Sequence, residues 1–248
     1  MKPWYEIQNA DSSTKERHAA IWVYEEIGEN FWGEGLTAKQ FVKDLSALDV
    51  DTIDLHVNSP GGNVFDGQAI FNALRQHPAV VNSYIDGLAA SIASVVALAG
   101  DHVVMASNAL FMFHDPFGMA MGDAAEMRQF ADVLDKIGGS IAEVYVAKTG
   151  SEEADIRAAM SAETWLNADE AMAQGFVDEV ASSVKVAAHF DLSRFHNAPT
   201  AALAIDTTDD PTAEPPVAPA TAATAPERGR VSTLTATILH LQKKVIWK

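Results

Sequence analysis

Cysteine is absent from all 248 residues, which excludes disulfides, thiolate-bound metal and a cysteine nucleophile, and leaves the redox compartment open. Positive charge is scarce: 17 Lys and Arg stand against 34 Asp and Glu, for a formal net charge of −17 at pH 7. So acidic a chain repels polyphosphate, and with no basic patch interleaved with aromatics it is not expected to bind nucleic acid. Long apolar runs are missing as well. The longest, from Gly87 to Gly100, is bounded by Asp86 and Asp101 and is too short to span a bilayer, so no membrane partner is expected. The opening "MKPWYEIQNADSSTKERH" lacks the apolar segment of a secretory signal, which makes the expectation a cytoplasmic protein. No Walker-type glycine loop occurs, and neither a metal nor a nucleotide nor any other cofactor is suggested.

What the chain does have is apolar material: 48% of its residues are hydrophobic, enough to fill a real core. Residues 1–18 read as a polar N-terminal segment. The compact part, residues 19–198, starts with "AAIWVYEEI", rich in β-branched and aromatic residues and therefore a strand. "TAKQFVKDLSAL" sets Phe41, Leu45 and Leu48 at helical spacing behind Thr37 as a cap, and "DTIDLHV" alternates as a strand. A helix from about Val64 ends before Pro78. "AVVNSYI" is a strand, and "DGLAASIASVVALAG", residues 86–100, reads as a helix. Strand and helix in alternation mark an α/β fold. "HVVMA" and "ALFMFH" are short strands, and a long helix runs from about Asp123 to Lys148. Met127, Phe130, Leu134, Ile137, Ile141 and Val144 form one apolar stripe along it, which needs a partner surface. "SEEADIRAAM" and "NADEAMAQG" are helical.

Residues 199–230 are mostly Ala, Thr, Pro and Asp, which bury too little apolar area to offset their ordering entropy, so a disordered linker is expected. In the tail 231–248, Val231, Leu234, Ile238, Leu241 and Val245 step as a heptad seam. Alone it is too short for a stable helix, and it is either a frayed end or a docking helix.

Chemistry concentrates in three places. A serine hydroxyl is a weak nucleophile that needs a base, a group to orient the base, and donors for the oxyanion it creates. Ser91 stands where a glycine-bearing stretch enters an apolar helix, so the amide of Ile92 is one of that helix's unpaired donors. A packing serine is the plainer alternative. "NSPGG" can bring the amides of Gly61 and Gly62 close to a substrate, or can be an ordinary strand-to-helix turn. His114 ends the strand "ALFMF" and precedes Asp115 and Pro116, which leaves an imidazole at a strand tip. The remaining histidines flank elements, lie inside them or belong to the tail.

Taken together, "VNSPGG" (57–62), "GLAAS" (87–91), "MFHDP" (112–116), "KTG" (148–150) and "ADEAMAQGFVD" (168–178) resemble, in order, the motifs of the Clp protease proteolytic subunit. The resemblance runs over about residues 19–180. It implies a ClpP/crotonase-type α/β fold of repeated β-β-α units with a long oligomerisation helix. It also implies a serine peptidase with Ser91 as nucleophile, His114 as general base and an oxyanion hole from the amides of Gly61, Gly62 and Ile92. The family's acid is an aspartate just before an aromatic residue, and the matching place in "SAETWLNADEA" holds Glu163, with Asp155 as the other candidate. Within the family, "GENFWGEGLTAKQFVKDL" and "ETWL" look most like the head-maturation proteases of tailed phages. That implies an ATP-independent endopeptidase, a homo-oligomeric ring, and capsid or scaffold proteins as substrates.

Three rivals remain open at this point. An acyl-CoA hydratase or isomerase shares the fold but uses site carboxylates. A serine–lysine peptidase would need Lys136 or Lys148 near Ser91. A catalytically inactive assembly protein would keep the fold and bind capsid through its tail.

Overall fold

The computed structural model describes residues 5–9, 17–28, 37–184 and 190–199. The linker at 200–230 and the tail at 231–248 lie outside the described residues.

Apolar β-branched stretches form the strands in the expected places: β2 (His18–Val23), β3 (Thr52–Ser59), β4 (Val80–Ala90), β5 (His102–Ala106) and β6 (Leu110–Phe113). Their registers are parallel from β2 to β3, β4 and β5, with both faces of β3 largely buried. Such burial is what a parallel sheet with near-continuous apolar strands requires. Two short strands were not legible, β7 (Thr164–Asn167), antiparallel to β6, and β8 (Glu179–Ala181), parallel to β5. Among the described residues the sheet has eight strands, in the order β1 (Tyr5–Asn9)-β2-β3-β4-β5-β8, with β6 paired to β4 and β7 to β6.

The polar segment 1–18 contributes a strand of its own. β1 (Tyr5–Asn9) pairs antiparallel with β2. Tyr5 explains its docking: the ring meets Phe41 edge-on at 5.0 Å and its hydroxyl donates to Asp44 at 2.7 Å.

The helices are α1 (Ala38–Ser46), α2 (Val64–Gln76), α3 (Ile92–Ala97), α4 (Ala124–Thr149), α5 (Glu153–Ser161) and α6 (Ala168–Ala173). Asn63 caps α2, Asn167 caps α6, and Asp123 with Glu126 forms a capping box on α4, whose end is closed by Gly150 in the left-handed conformation. Thr37 precedes α1 in extended backbone without a side-chain cap bond.

The expected helix over 86–100 is corrected. Asp86–Ala90 continues β4, pairing Leu88, Ala89 and Ala90 with Leu110, Phe111 and Met112 of β6, and the helix begins only at Ile92. The small residues give little local preference that survives a neighbouring strand on each side, so tertiary pairing decides. The apolar stripe on α4 also divides. Its C-terminal half buries Ile141, Ala142 and Tyr145 in the core, while Met127 nearer the start is 40% exposed.

Candidate active site

Four segments meet at the C-terminal end of the sheet. Ser91 sits between β4 and α3 with φ 54° and ψ −130°, a conformation that non-glycine residues avoid. Three hydrogen bonds hold its backbone there. Its amide donates to the carbonyl of Met112 at 2.9 Å, and its carbonyl accepts from the Ser94 hydroxyl at 2.5 Å and from the Ser94 amide at 3.0 Å. Ser94 is fully buried against the Tyr145 hydroxyl, 2.7 Å away.

His114 is one step beyond β6, and that strand is anchored by rings. Phe111, Phe113 and Phe176 pack on one another at tilted angles, and Phe113 also meets Tyr145 at 5.1 Å. Each such pair contributes about 0.5–1.5 kcal/mol beyond area burial, so the strand tip is fixed in place. The imidazole Nε2 lies 2.7 Å from the Ser91 hydroxyl oxygen. Burial pushes the His114 pKa below its ordinary value, and Arg194 and His196 push the same way, against the opposing charges of Glu163 and Asp115.

The glycine turn lies against Ser91. Gly61 adopts φ +95°, and a Cβ there would come within 2.7 Å of the Ser91 Cβ and 2.8 Å of the Ala90 carbonyl oxygen. Its amide is already engaged, donating to Ser59 Oγ at 3.2 Å. Gly62 forms a parallel bridge with Ile27 in which Ile27 donates to the Gly61 carbonyl and Asn63 donates to Ile27. That pattern turns the N–H of Gly62 away from Ile27. The amide of Ile92, the residue after Ser91 and first in α3, has no intrahelical acceptor, and neither it nor the amide of Gly62 donates to another group among the described residues. Of the three amides expected at an oxyanion hole, Gly61 is therefore the one set aside, because Ser59 holds it.

Glu163 joins α5 to β7 with φ 51° and is buried. Its carboxylate accepts from Trp165 Nε1 at 3.1 Å, the amide of His196 at 2.9 Å and the amide of Asn197 at 2.6 Å. Burial opposes its charge, but these donors outweigh burial and hold its pKa below the usual carboxylate value. It is the strongest charge acting on His114, although its oxygens face the amides and not the ring. Asp155 is exposed on α5. Lys148 pairs with Asp178 at 2.7 Å and is likewise not at Ser91.

Sequence reasoning missed Ser94 as a brace for Ser91, Trp165 as a donor to Glu163, and residues 194–197 around His114. The pattern "SRFHN" carries an Arg, a Phe and a His, but nothing in its spacing says where it folds. Among the described residues no three of His, Asp and Glu converge as a metal ion would need, and no helix is long and apolar enough to cross a membrane.

Comparison with known proteins gives the family and the fold. The Clp protease family matches residues 12–184. The ATP-dependent Clp protease proteolytic subunit 3 of Rhodococcus jostii (strain RHA1) is 33% identical over 140 residues, which cover 55% of this chain and 69% of the relative. Among solved structures, a ClpP1 point mutant from Listeria monocytogenes superposes with a TM-score of 0.57 at 24% identity, covering 66% of this chain and 91% of that one, and the likeness is one of fold. The chain belongs to the Clp protease family and is a serine endopeptidase with that family's mixed α/β fold.

Proposed function

We propose that Ser91 is the nucleophile, His114 the general base and Glu163 the acid that orients and balances it, with the amides of Gly62 and Ile92 receiving the oxyanion. The observation that carries the reading is the 2.7 Å contact between His114 Nε2 and the Ser91 hydroxyl, with the amide of Ile92, next in the chain, lacking an intrahelical acceptor. Nε2 accepts the serine proton, so the ring's own proton resides on Nδ1. Ser91 Oγ attacks the scissile carbonyl, its proton passes to Nε2, and the new oxyanion is held by the two amides. His114 returns the proton to the leaving amine as the C–N bond breaks. Water activated by the same imidazole then hydrolyses the ester and regenerates Ser91. Hydrolysis by this route needs no nucleotide.

The substrates we assign are capsid or scaffold proteins in phage head maturation, in the cytoplasm of a bacterial host. This rests on the "GENFWGEGLTAKQFVKDL" and "ETWL" segments. A homo-oligomeric ring is supported by the exposed apolar surface around the start of α4, where Phe117 is 69% exposed, Met119 66% and Met121 99%. So much apolar side chain in one short loop suits an interface with a second copy.

One observation favours a second reading, an inactive assembly protein: the Glu163 carboxylate faces amides, not the imidazole. A fluorophosphonate probe separates the two. Adduct on Ser91, lost in His114→Ala, is the expected result; a folded, oligomeric protein with no adduct would favour assembly alone. Incubating active protein and Ser91→Ala with procapsid proteins then tests the substrate class by the appearance of cleaved products only with the former.

A further inference from the structure

The family match ends at residue 184, yet residues 190–199 fold back over the Ser91 and His114 site. The segment is tied through Leu192 and through Arg194, Phe195, His196 and Asn197. Arg194 donates through Nη2 to the carbonyl of Pro60 in the glycine turn at 2.8 Å, and also pairs with Glu26. Phe195 sets its ring edge-on to the His114 imidazole at 5.7 Å and to Trp165 at 5.7 Å. With Leu192 it buries against Leu88, Ala90 and Met112, the strand residues that lead into Ser91 and His114. Beyond it, the amides of His196 and Asn197 donate to the Glu163 carboxylate, and the Asn197 side chain donates to the Ala162 carbonyl at 2.8 Å.

We propose that residues 190–199 are an autoinhibitory strap, with Phe195 as its plug, that must leave the site before a protein substrate reaches Ser91. The inference rests on the reading of Ser91 and His114 as nucleophile and base. Three observations converge on it.

The first is position. The strap runs from the glycine turn across the imidazole to the acid, and a peptide attacked by Ser91 must lie between that turn and the imidazole. The second is electrostatic. A base that takes the serine proton becomes an imidazolium, which the strap disfavours by burying the ring and setting the Arg194 cation beside it. The carboxylate that would stabilise that imidazolium has three acceptor positions occupied, two of them by strap amides. The third is tenure. The strap has no helix or strand of its own, and its hold consists of two buried apolar side chains, Leu192 at 5% and Phe195 at 6% exposed, the half-buried Phe190 and Ala198, one surface ion pair from Arg194 to Glu26 and a few hydrogen bonds. Segments held so lightly open at a small fraction of the global unfolding free energy.

The test uses the full chain. Arg194→Ala with Phe195→Ala removes the turn anchor and the plug, and the rate of fluorophosphonate labelling at Ser91 is followed by intact mass. We expect a rise of about tenfold, the gain when a site open one time in ten becomes open throughout. A synthetic peptide of residues 190–199 should slow the double variant again, and a scrambled peptide should not. Arg194→Ala alone changes only a surface side chain and should give a rise of about threefold, which guards against a plug variant that misfolds. Unchanged or slower labelling in variants with a native melt would overturn the strap, and slower labelling would assign the segment to positioning Glu163 instead. Ser91 labelled in the parent and in no way faster in the variants sinks the strap alone. Ser91 labelled in none of them sinks the strap together with the reading beneath it.

Discussion

Ser94 offers the sharpest test of how the fold holds the nucleophile. Its hydroxyl has one proton, and a carbonyl can only accept, so the proton goes to Ser91 O at 2.5 Å. The Tyr145 hydroxyl, 2.7 Å away, must then donate to Ser94 Oγ. Ser94→Ala leaves the buried tyrosine hydroxyl without that acceptor, for about 1–3 kcal/mol of stability. Tyr145→Phe removes one neutral hydrogen bond while leaving Ser94 bonded to Ser91, for about 1 kcal/mol. Combined, the changes delete both partners, so the double variant should lose about 1–2 kcal/mol, short of the sum by about 1 kcal/mol or more. Kinetics split the pair differently. Ser91 holds φ 54° against a cost of about 1–3 kcal/mol, and Ser94→Ala, which leaves the Ser91 carbonyl only the Ser94 amide at 3.0 Å, should lower the labelling rate about tenfold, equivalent to about 1.4 kcal/mol. Tyr145→Phe keeps that bond and should stay within about twofold of the parent. Urea unfolding of the four proteins and fluorophosphonate labelling supply both readouts. Additive stabilities, or equal slowing in the two single variants, would refute the brace.

Four further outcomes follow from the geometry. Catalysis needs neutral His114, and its pKa lies below the ordinary 6.5, so the acid limb of kcat/KM should fall below pH 6.5; Arg194→Ala removes a cation and should move the limb upward, and a downward move would contradict the electrostatic account. Glu163→Ala should slow hydrolysis by about 100-fold or more while Asp155→Ala, at an exposed position, changes nothing, and equal effects of the two would remove Glu163 from the triad. Since the folded pKa of Glu163 is lowered, its charge stabilises the protein at neutral pH and that contribution is lost as pH falls through the folded value; Glu163→Gln should therefore shrink the difference in Tm between neutral and acid solution. Gly61→Ala would place a methyl 2.7 Å from Ser91 Cβ at φ +95°, and should abolish labelling, whereas ordinary rates in a folded Gly61→Ala protein would show that the turn does not abut the serine as described.

Much of the scaffold was written in local pattern. Alternation of Ile53, Leu55 and Val57 marked β3, the Val64 helix stopped ahead of Pro78, and "ALFMF" put His114 at a strand tip where the imidazole does reach Ser91 Oγ. What failed is what distance along the chain conceals. Asp86–Ala90 has the small residues of a helix, yet β3 on one side and β6 on the other claim it as strand, and no window of 15 residues contains both neighbours. β1 was hidden for a similar reason: Tyr5 is justified by Phe41 and Asp44, more than thirty positions away.

The same limit explains why the acid could be named but not its state. "ETWL" pointed to Glu163 by its place in a motif, and the residue is indeed buried near His114 with a backbone angle that few side chains tolerate. Whether its carboxylate serves the imidazole depends on which donors reach it first, and two of the three come from residues 196 and 197, over thirty positions downstream. Those donors are backbone amides, which every residue but proline supplies, so no residue type in "SRFHN" could have announced them. Motif reading finds groups whose chemistry depends on side-chain identity. It is blind to groups whose contribution is a backbone N–H delivered by the path of the chain, and in this protein that path is what decides how the Glu163 charge is shared between His114 and the strap.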